Sequence, residues 1–198
     1  MIRISAPSSV RLPALAAALL GLAALTFAAA PAQAQRAGSK PAPAKTAAAG
    51  GQGQALLLET AGKWQAFSSQ QGRTKICYAL SKAESRTPAN LKDVEGLLFI
   101  SSRPGEGVRN EISLVMNFDL KEDVEHQAII GAERFALVAK GQNVWLKNPA
   151  EEGRMLDALR KGSGLEIKGT SKRGNATSDK YSLAGISQIV KRAEDACK

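Results

Sequence analysis

Short runs of alternating apolar and polar residues, broken by Gly, Pro and Asn turns, dominate this sequence from residue 56 onward. A period of two sends successive side chains to opposite faces of a strand. Such runs are stable only where one face is buried against another layer. Leu56-Leu57-Leu58-Glu59 opens the series, and Lys63-Trp64-Gln65-Ala66-Phe67 alternates cleanly. After the turn at Gln70-Gln71-Gly72, Thr74–Leu80 makes a second strand and a hairpin. Val94–Ser102 and Val108–Phe118 follow, separated by Arg103-Pro104-Gly105-Glu106-Gly107. Val124–Ile130, Arg134–Lys140 and Asn143–Lys147 continue as short strands, and Leu165–Ser171 with Thr177–Leu183 forms a last pair. Residues 81–93 are polar and carry Pro88, so a loop is predicted there.

Two segments change to a helical period. Asn148 can cap, Pro149 suits a first helical position, and Glu151 sits where it can reach back to the cap. Met155, Leu156 and Leu159 then share one stripe, and Gly162 ends the helix after Arg160 and Lys161. Ile186, Ile189, Val190 and Ala193 are spaced for one face of a second helix over Ile186–Ala196. The fold class expected from this pattern is mainly β, an antiparallel β-sandwich or barrel with two short helices.

The first 55 residues read differently. Arg3 and Arg11 precede an almost unbroken apolar stretch, Leu12–Ala30, followed by Ala32-Gln33-Ala34. That order is a secretory signal peptide over residues 1–34, cleaved between Ala34 and Gln35. The competing reading is an uncleaved anchor, since the stretch nearly spans a bilayer. Its Ala-rich composition and the small residues at Ala32 and Ala34 favour cleavage. Residues 35–55 are rich in Pro, Ala and Gly and have no large apolar side chain, a flexible linker that cannot offset the entropy of ordering. The domain proper is 56–198, a monomer in a bacterial periplasm, at the cell surface or secreted, with no stable membrane span once the signal is gone.

Charge and chemistry-bearing residues narrow the function. The whole chain carries a net charge of +9, from 27 basic and 18 acidic residues. The five basic residues before residue 56 have no acidic counterpart there, so 56–198 keeps 22 basic against 18 acidic residues and a net charge of +4. The basic residues are scattered in pairs such as Lys172-Arg173, without the dense aromatic-laced stripe of a nucleic-acid binder. Two cysteines and one histidine do not make a metal centre, and no cofactor is implied. Cys77 and Cys197 lie in a compartment that oxidises thiols, where they form a disulfide pinning the second helix to the second strand. Cys77 as a nucleophile has only His126 for an imidazole partner, and His126, in a polar segment, is expected at the surface. No carboxylate pair has acid/base spacing, so no catalytic residue is assigned. Trp64 and Trp145 are residues of the packed strands and, alternatively, a binding surface.

Several strings in order resemble the invasion-associated locus B family of exported bacterial proteins. They are Trp64-Gln65-Ala66-Phe67, Lys75-Ile76-Cys77-Tyr78, Glu133-Arg134-Phe135-Ala136-Leu137 before Trp145-Leu146-Lys147, Met155–Gly162, Lys168-Gly169-Thr170-Ser171, and Asp179–Gly185 before a short helix and a terminal cysteine. The resemblance covers 56–198. It implies an immunoglobulin-like sandwich, a periplasmic or surface location, no catalytic residues, and a link to host-cell invasion in pathogenic relatives. Phe67-Ser68-Ser69 stands where that pattern often has a cysteine, which leaves a single disulfide. The expected function is therefore a non-enzymatic envelope or periplasmic accessory protein binding an unknown protein or envelope component. The alternative is a periplasmic hydrolase acting on envelope material.

Overall fold

The computed structural model describes residues 54–198. The signal peptide, its cleavage site at Ala34 and Gln35, and nearly all of the linker lie outside the described residues. Eleven strands are present among those described: β1 (Leu56–Ala61), β2 (Trp64–Gln71), β3 (Thr74–Lys82), β4 (Ser85–Thr87), β5 (Leu97–Arg103), β6 (Val108–Val115), β7 (His126–Ile130), β8 (Glu133–Lys140), β9 (Asn143–Leu146), β10 (Gly164–Thr170) and β11 (Ala176–Ser182). Two helices, α1 (Glu152–Lys161) and α2 (Ile186–Ala196), complete the domain. Every strand pair is antiparallel.

The strands bond in the order β1-β2-β3-β5-β6-β9-β8-β7-β10-β11-β4. β3 is third from one end and β4 is the last strand at the other, yet only Ala83 and Glu84 separate them in the chain. Ala83 N–H donates to Gly96 O at 2.8 Å and Glu84 N–H to Lys180 O at 2.8 Å, so the chain steps directly from one end of the sheet to the other. The sheet must therefore curl back on itself. Its inward side chains form one core that includes Leu98, Ile100, Ile112, Leu114, Phe135, Leu137, Val144, Leu165 and Ile167. Bonding runs unbroken through all eleven strands. The strand-rich antiparallel class and the two short helices are as the residue pattern predicts. The two separately bonded sheets of an immunoglobulin-like sandwich are not distinguished in it.

The predicted loop over 81–93 contains β4. Three residues centred on an arginine carry no apolar alternation, and the strand exists because its partner β11 supplies a carboxylate for that arginine, as described below. Other boundaries shift as well: β5 starts at Leu97 rather than Val94, and β7 at His126 rather than Val124. β6 stops at Val115, and Asn117 takes a left-handed φ of 56°, which ends the extended run before Phe118. Asn148 caps as expected, its Oδ1 accepting from Ala150 N–H at 3.2 Å, but the first turn, Pro149–Glu151, is a tight 3-10 turn. The Glu151 carboxylate bonds Arg154 at 2.6 Å rather than reaching back to the cap.

Helix α2 covers the inner face of β1, β2 and β3. Ile186, Ile189, Val190 and Ala193 are buried. Each large apolar residue so placed contributes roughly 1.5–3 kcal/mol. The approach is close: Gly185 has φ 92°, and a Cβ on it would lie 2.5 Å from Ala61 O. Only glycine meets both demands. Glu59 on β1 accepts a hydrogen bond from the Gln188 side chain, and Arg192 lies 3.7 Å from the same carboxylate. The Cys77 and Cys197 sulfurs are 2.04 Å apart, with α-carbons 5.8 Å apart, so the end of α2 is bonded to β3. No helix among the described residues is long and apolar enough to cross a membrane.

Candidate functional site

Strand β11 sends Thr177, Asp179 and Tyr181 into the interior, and all three are buried. A carboxylate on a buried face needs a cation, and β4 supplies it. Arg86 Nη2 donates to Asp179 Oδ2 at 2.7 Å, and the two side chains are 3% and 0% exposed. Arg86 also donates to Val94 O at 2.6 Å and to Met116 O at 3.1 Å. Its guanidinium carbon lies 5.3 Å from the centroid of the Phe118 ring, within cation–π range. Gly96 lies against the pair, and a Cβ there would sit 2.7 Å from Asp179 Oδ2. Burial pushes the Asp179 carboxyl above its ordinary range, with Arg86 pulling the other way. Burial, and then the neighbouring Asp179, push the Tyr181 hydroxyl upward too.

His126 is not at the surface as expected; it is 1% exposed at the start of β7. The residues around it in sequence are polar, but β7 alternates, and His126 falls on the inward side with Ala128 and Ile130. Its Nε2 lies 2.8 Å from Lys121 O, and its Nδ1 accepts from Thr170 N–H at 3.3 Å. That pattern places the proton on Nε2. Both nitrogens are thus engaged by backbone groups. A Cβ on Gly169 would lie 3.1 Å from Thr177 Oγ1 and 3.3 Å from His126 Nδ1, so histidine, threonine and the Arg86–Asp179 pair occupy one end of the interior.

Directly above that end, loops meet around a cleft of about 460 Å³. Pro88, Asn90 and Leu91 come from the segment after β4, Phe118 and Asp119 from the β6–β7 loop, and Gln142 from the β8–β9 turn. The β10–β11 hairpin adds Ser171, Lys172, Arg173 and Asn175, with Thr177 from β11 itself. The walls are held by backbone bonds. Met116 N–H donates to Gln142 O (2.8 Å), Leu120 N–H to Gly141 O (3.0 Å), Lys121 N–H to Thr170 O (3.0 Å) and Lys172 N–H to Asp119 O (2.8 Å). Arg86 supports the same loop through Met116 O and Phe118, and His126 through Lys121 O. Thr177, 5% exposed, lines the cleft with a hydroxyl that has no hydrogen-bond partner among the described residues.

The tryptophans separate. Trp64 is 0% exposed and its Nε1 donates to Ser182 O at 2.9 Å, so it is core and not a binding surface. It shares the inner face of β2 with Ala66, beneath α2, and that position fixes its burial. Trp145 alternates with buried Val144 and Leu146 and is half-buried on the outer face, across from Ser113 and Val138. On the same outer side Phe67 stacks on Tyr78 with centroids 5.2 Å apart, and Phe99 follows at 5.8 Å from Tyr78. The structure does not bring Trp145 to the cleft.

Arg86, Asp179, Phe118 and the cleft amides were not singled out from the sequence. One signal was available: alternation in Thr177–Leu183 places Asp179 on the same face as Tyr181 and Leu183, so a buried carboxylate was legible, though not its partner. Among the described residues no group of three His, Cys, Asp or Glu side chains could hold a metal ion. Neither a family model, nor a curated protein, nor a solved structure matches the chain.

Proposed function

We propose that this chain is an exported, non-enzymatic binding protein of the bacterial envelope, its mature form starting at Gln35, and that its ligand site is the cleft beside Phe118. The observation that carries the binding part is the convergence of four loop segments, three of them tied to one another by backbone bonds, on a cleft whose polar side chains are largely unused among the described residues. Loops on a rigid scaffold are where binding residues concentrate. The N-terminal signal pattern and the resemblance to the invasion-associated locus B family support export. The two interior groups suited to acid/base work support binding over hydrolysis, because each is committed elsewhere. Asp179 is paired with Arg86, and His126 bonds two backbone groups. Neither lines the cleft.

Fractionation of the native host followed by N-terminal sequencing tests export. A mature chain starting at Gln35 in the periplasm supports it, and an intact Met1 in the membrane fraction overturns it. Thermal-shift screening against fractionated envelope material tests binding. Stabilisation lost in Asn175→Ala supports the cleft. Release of cleaved products from that material by the purified protein overturns the non-enzymatic reading.

A further inference from the structure

We infer that the cleft takes a small polyhydroxylated anion, a sugar-like ring bearing one carboxylate or phosphate. This rests on the reading of the cleft as the ligand site and adds the chemical class.

Charge comes first. Lys172 and Arg173 sit on the cleft wall against a single acid, Asp119. Lys172 Nζ is 3.7 Å from Asp119 Oδ2, so that acid is already offset. Arg173 has no carboxylate within salt-bridge distance among the described residues, although most arginines of this domain do, including Arg86, Arg103, Arg154, Arg160 and Arg192. An unmatched guanidinium at a concave site favours a carboxylate or phosphate, which it can engage through two parallel hydrogen bonds.

The neutral groups define the remainder of the ligand. Asn90, Gln142 and Asn175 line the cleft, and their side-chain amides make no hydrogen bond among the described residues. An amide offers a donor and an acceptor side by side, which matches hydroxyl groups that also do both. An apolar ligand would bury these amides without partners, at a cost for each. A sugar ring also carries C–H faces, and Phe118 with Leu91 supplies an apolar wall for one. The volume, about 460 Å³, falls within the roughly 300–1,000 Å³ of small-molecule sites. A divalent cation does not fit, because one carboxylate already offset by lysine is a poor ligand set.

The test titrates the mature protein with glucuronate, glucose 6-phosphate, glucose and inorganic phosphate, following backbone amides by NMR. The expected result is saturable shifts at Phe118, Gln142 and Asn175 for both acidic sugars, with Kd at least tenfold below that for glucose. The tighter of the two acidic sugars identifies carboxylate or phosphate as the anionic group. Arg173→Gln should weaken the acidic sugars about tenfold and leave glucose unchanged, with Tm unaltered. Asn175→Ala should weaken all three sugars. Inorganic phosphate binding as tightly as glucose 6-phosphate would refute the sugar part. Glucose binding as tightly as glucuronate would refute the charge part and leave the cleft reading intact. No shift at the cleft with any of the four probes would overturn the inference, while envelope-material stabilisation that still depends on Asn175 would preserve the cleft as a site for another ligand class.

Discussion

Replacing His126 with alanine should destabilise the domain by about 3–4 kcal/mol, far beyond the effect of an ordinary surface change. The imidazole is 1% exposed among Leu120, Gly169 and Thr177. Emptying a buried site of this size costs on the order of 2–3 kcal/mol in lost packing. It also strands two backbone groups, the Lys121 carbonyl at 2.8 Å and the Thr170 N–H at 3.3 Å. Each stranded group costs about 1 kcal/mol or more, and water entering the space recovers part of the total. For a domain near 150 residues this lowers Tm by roughly 10 °C. Urea unfolding of oxidised wild type and variant measures the difference directly. Hydrogen exchange adds a local reading, since the Leu120 and Lys121 amides should open first, being bonded to neighbouring turns that His126 holds in place. Glutamine at 126 keeps a donor in reach of Lys121 O and should recover about 1 kcal/mol. A loss below about 1 kcal/mol for His126→Ala, with exchange at Leu120 unchanged, would refute the reasoning.

Arg86→Met and Asp179→Leu should each cost about 3–5 kcal/mol, and the double variant clearly less than their sum, because either single change leaves a buried group unpaired; additive losses in denaturant midpoints would contradict the pairing. Asp179 also sets a pH dependence. Its folded pKa lies above the ordinary ~3.9, so the folded state holds more protons in between, and its contribution is full below the unfolded value and falls as pH rises through the folded one. Asp179→Asn should remove that decline, and parallel pH–stability curves for the two proteins between pH 4 and 7 would exclude it. Asp195 has the opposite sign: Lys191 and Lys198 hold its pKa at about 2, so its contribution is present above ~4 and lost as pH falls toward 2. Because Asp195 is at the surface, the loss should be small and disappear in high salt, which acid unfolding of Asp195→Asn at two ionic strengths checks. Cys197→Ser opens a loop closed across 120 positions and should cost roughly 2–5 kcal/mol, measurable as a lower urea midpoint that reductant imposes on wild type but not on the variant.

Much of the fold was legible because it depends on local periodicity. The β2–β3 hairpin, both helices and the Cys77–Cys197 bond follow from alternation, capping and cysteine count; β3 starts at Thr74 and α2 spans Ile186–Ala196 as predicted, while β2 runs on to Gln71 and α1 becomes α-helical only at Glu152. What was illegible depends on partners distant in sequence. β4 is three residues long, and its reason for being a strand is Asp179, 93 positions away. The polar neighbours of His126 suggest exposure, but its face is decided by parity along β7, which points it inward. Trp64 and Trp145 looked equivalent as sequence; burial separates them only once α2 lies over one face of β2. The cleft was invisible for the same reason, since Asn90, Phe118, Gln142 and Asn175 belong to four segments spread over 86 positions.

The placement of the costly groups bears on why the cleft sits where it does. Apolar residues of similar volume in place of a buried ion pair are often neutral or stabilising, so stability alone does not account for Arg86 and Asp179. Both lie under the cleft with Thr177 and His126, while the rest of the interior is almost wholly apolar. Two of them, Arg86 and His126, reach loops that an apolar side chain would not hold. Arg86 grips Val94 O and Met116 O and faces Phe118, and His126 grips Lys121 O. Apolar packing is non-directional and tolerates sliding, whereas a hydrogen bond fixes a carbonyl in distance and angle. The binding role proposed for the cleft requires that kind of support, because affinity depends on groups already standing in position when the ligand arrives. The interior polar cluster is therefore the foundation of the cleft, and its cost to the core is offset where four loop segments must keep one geometry.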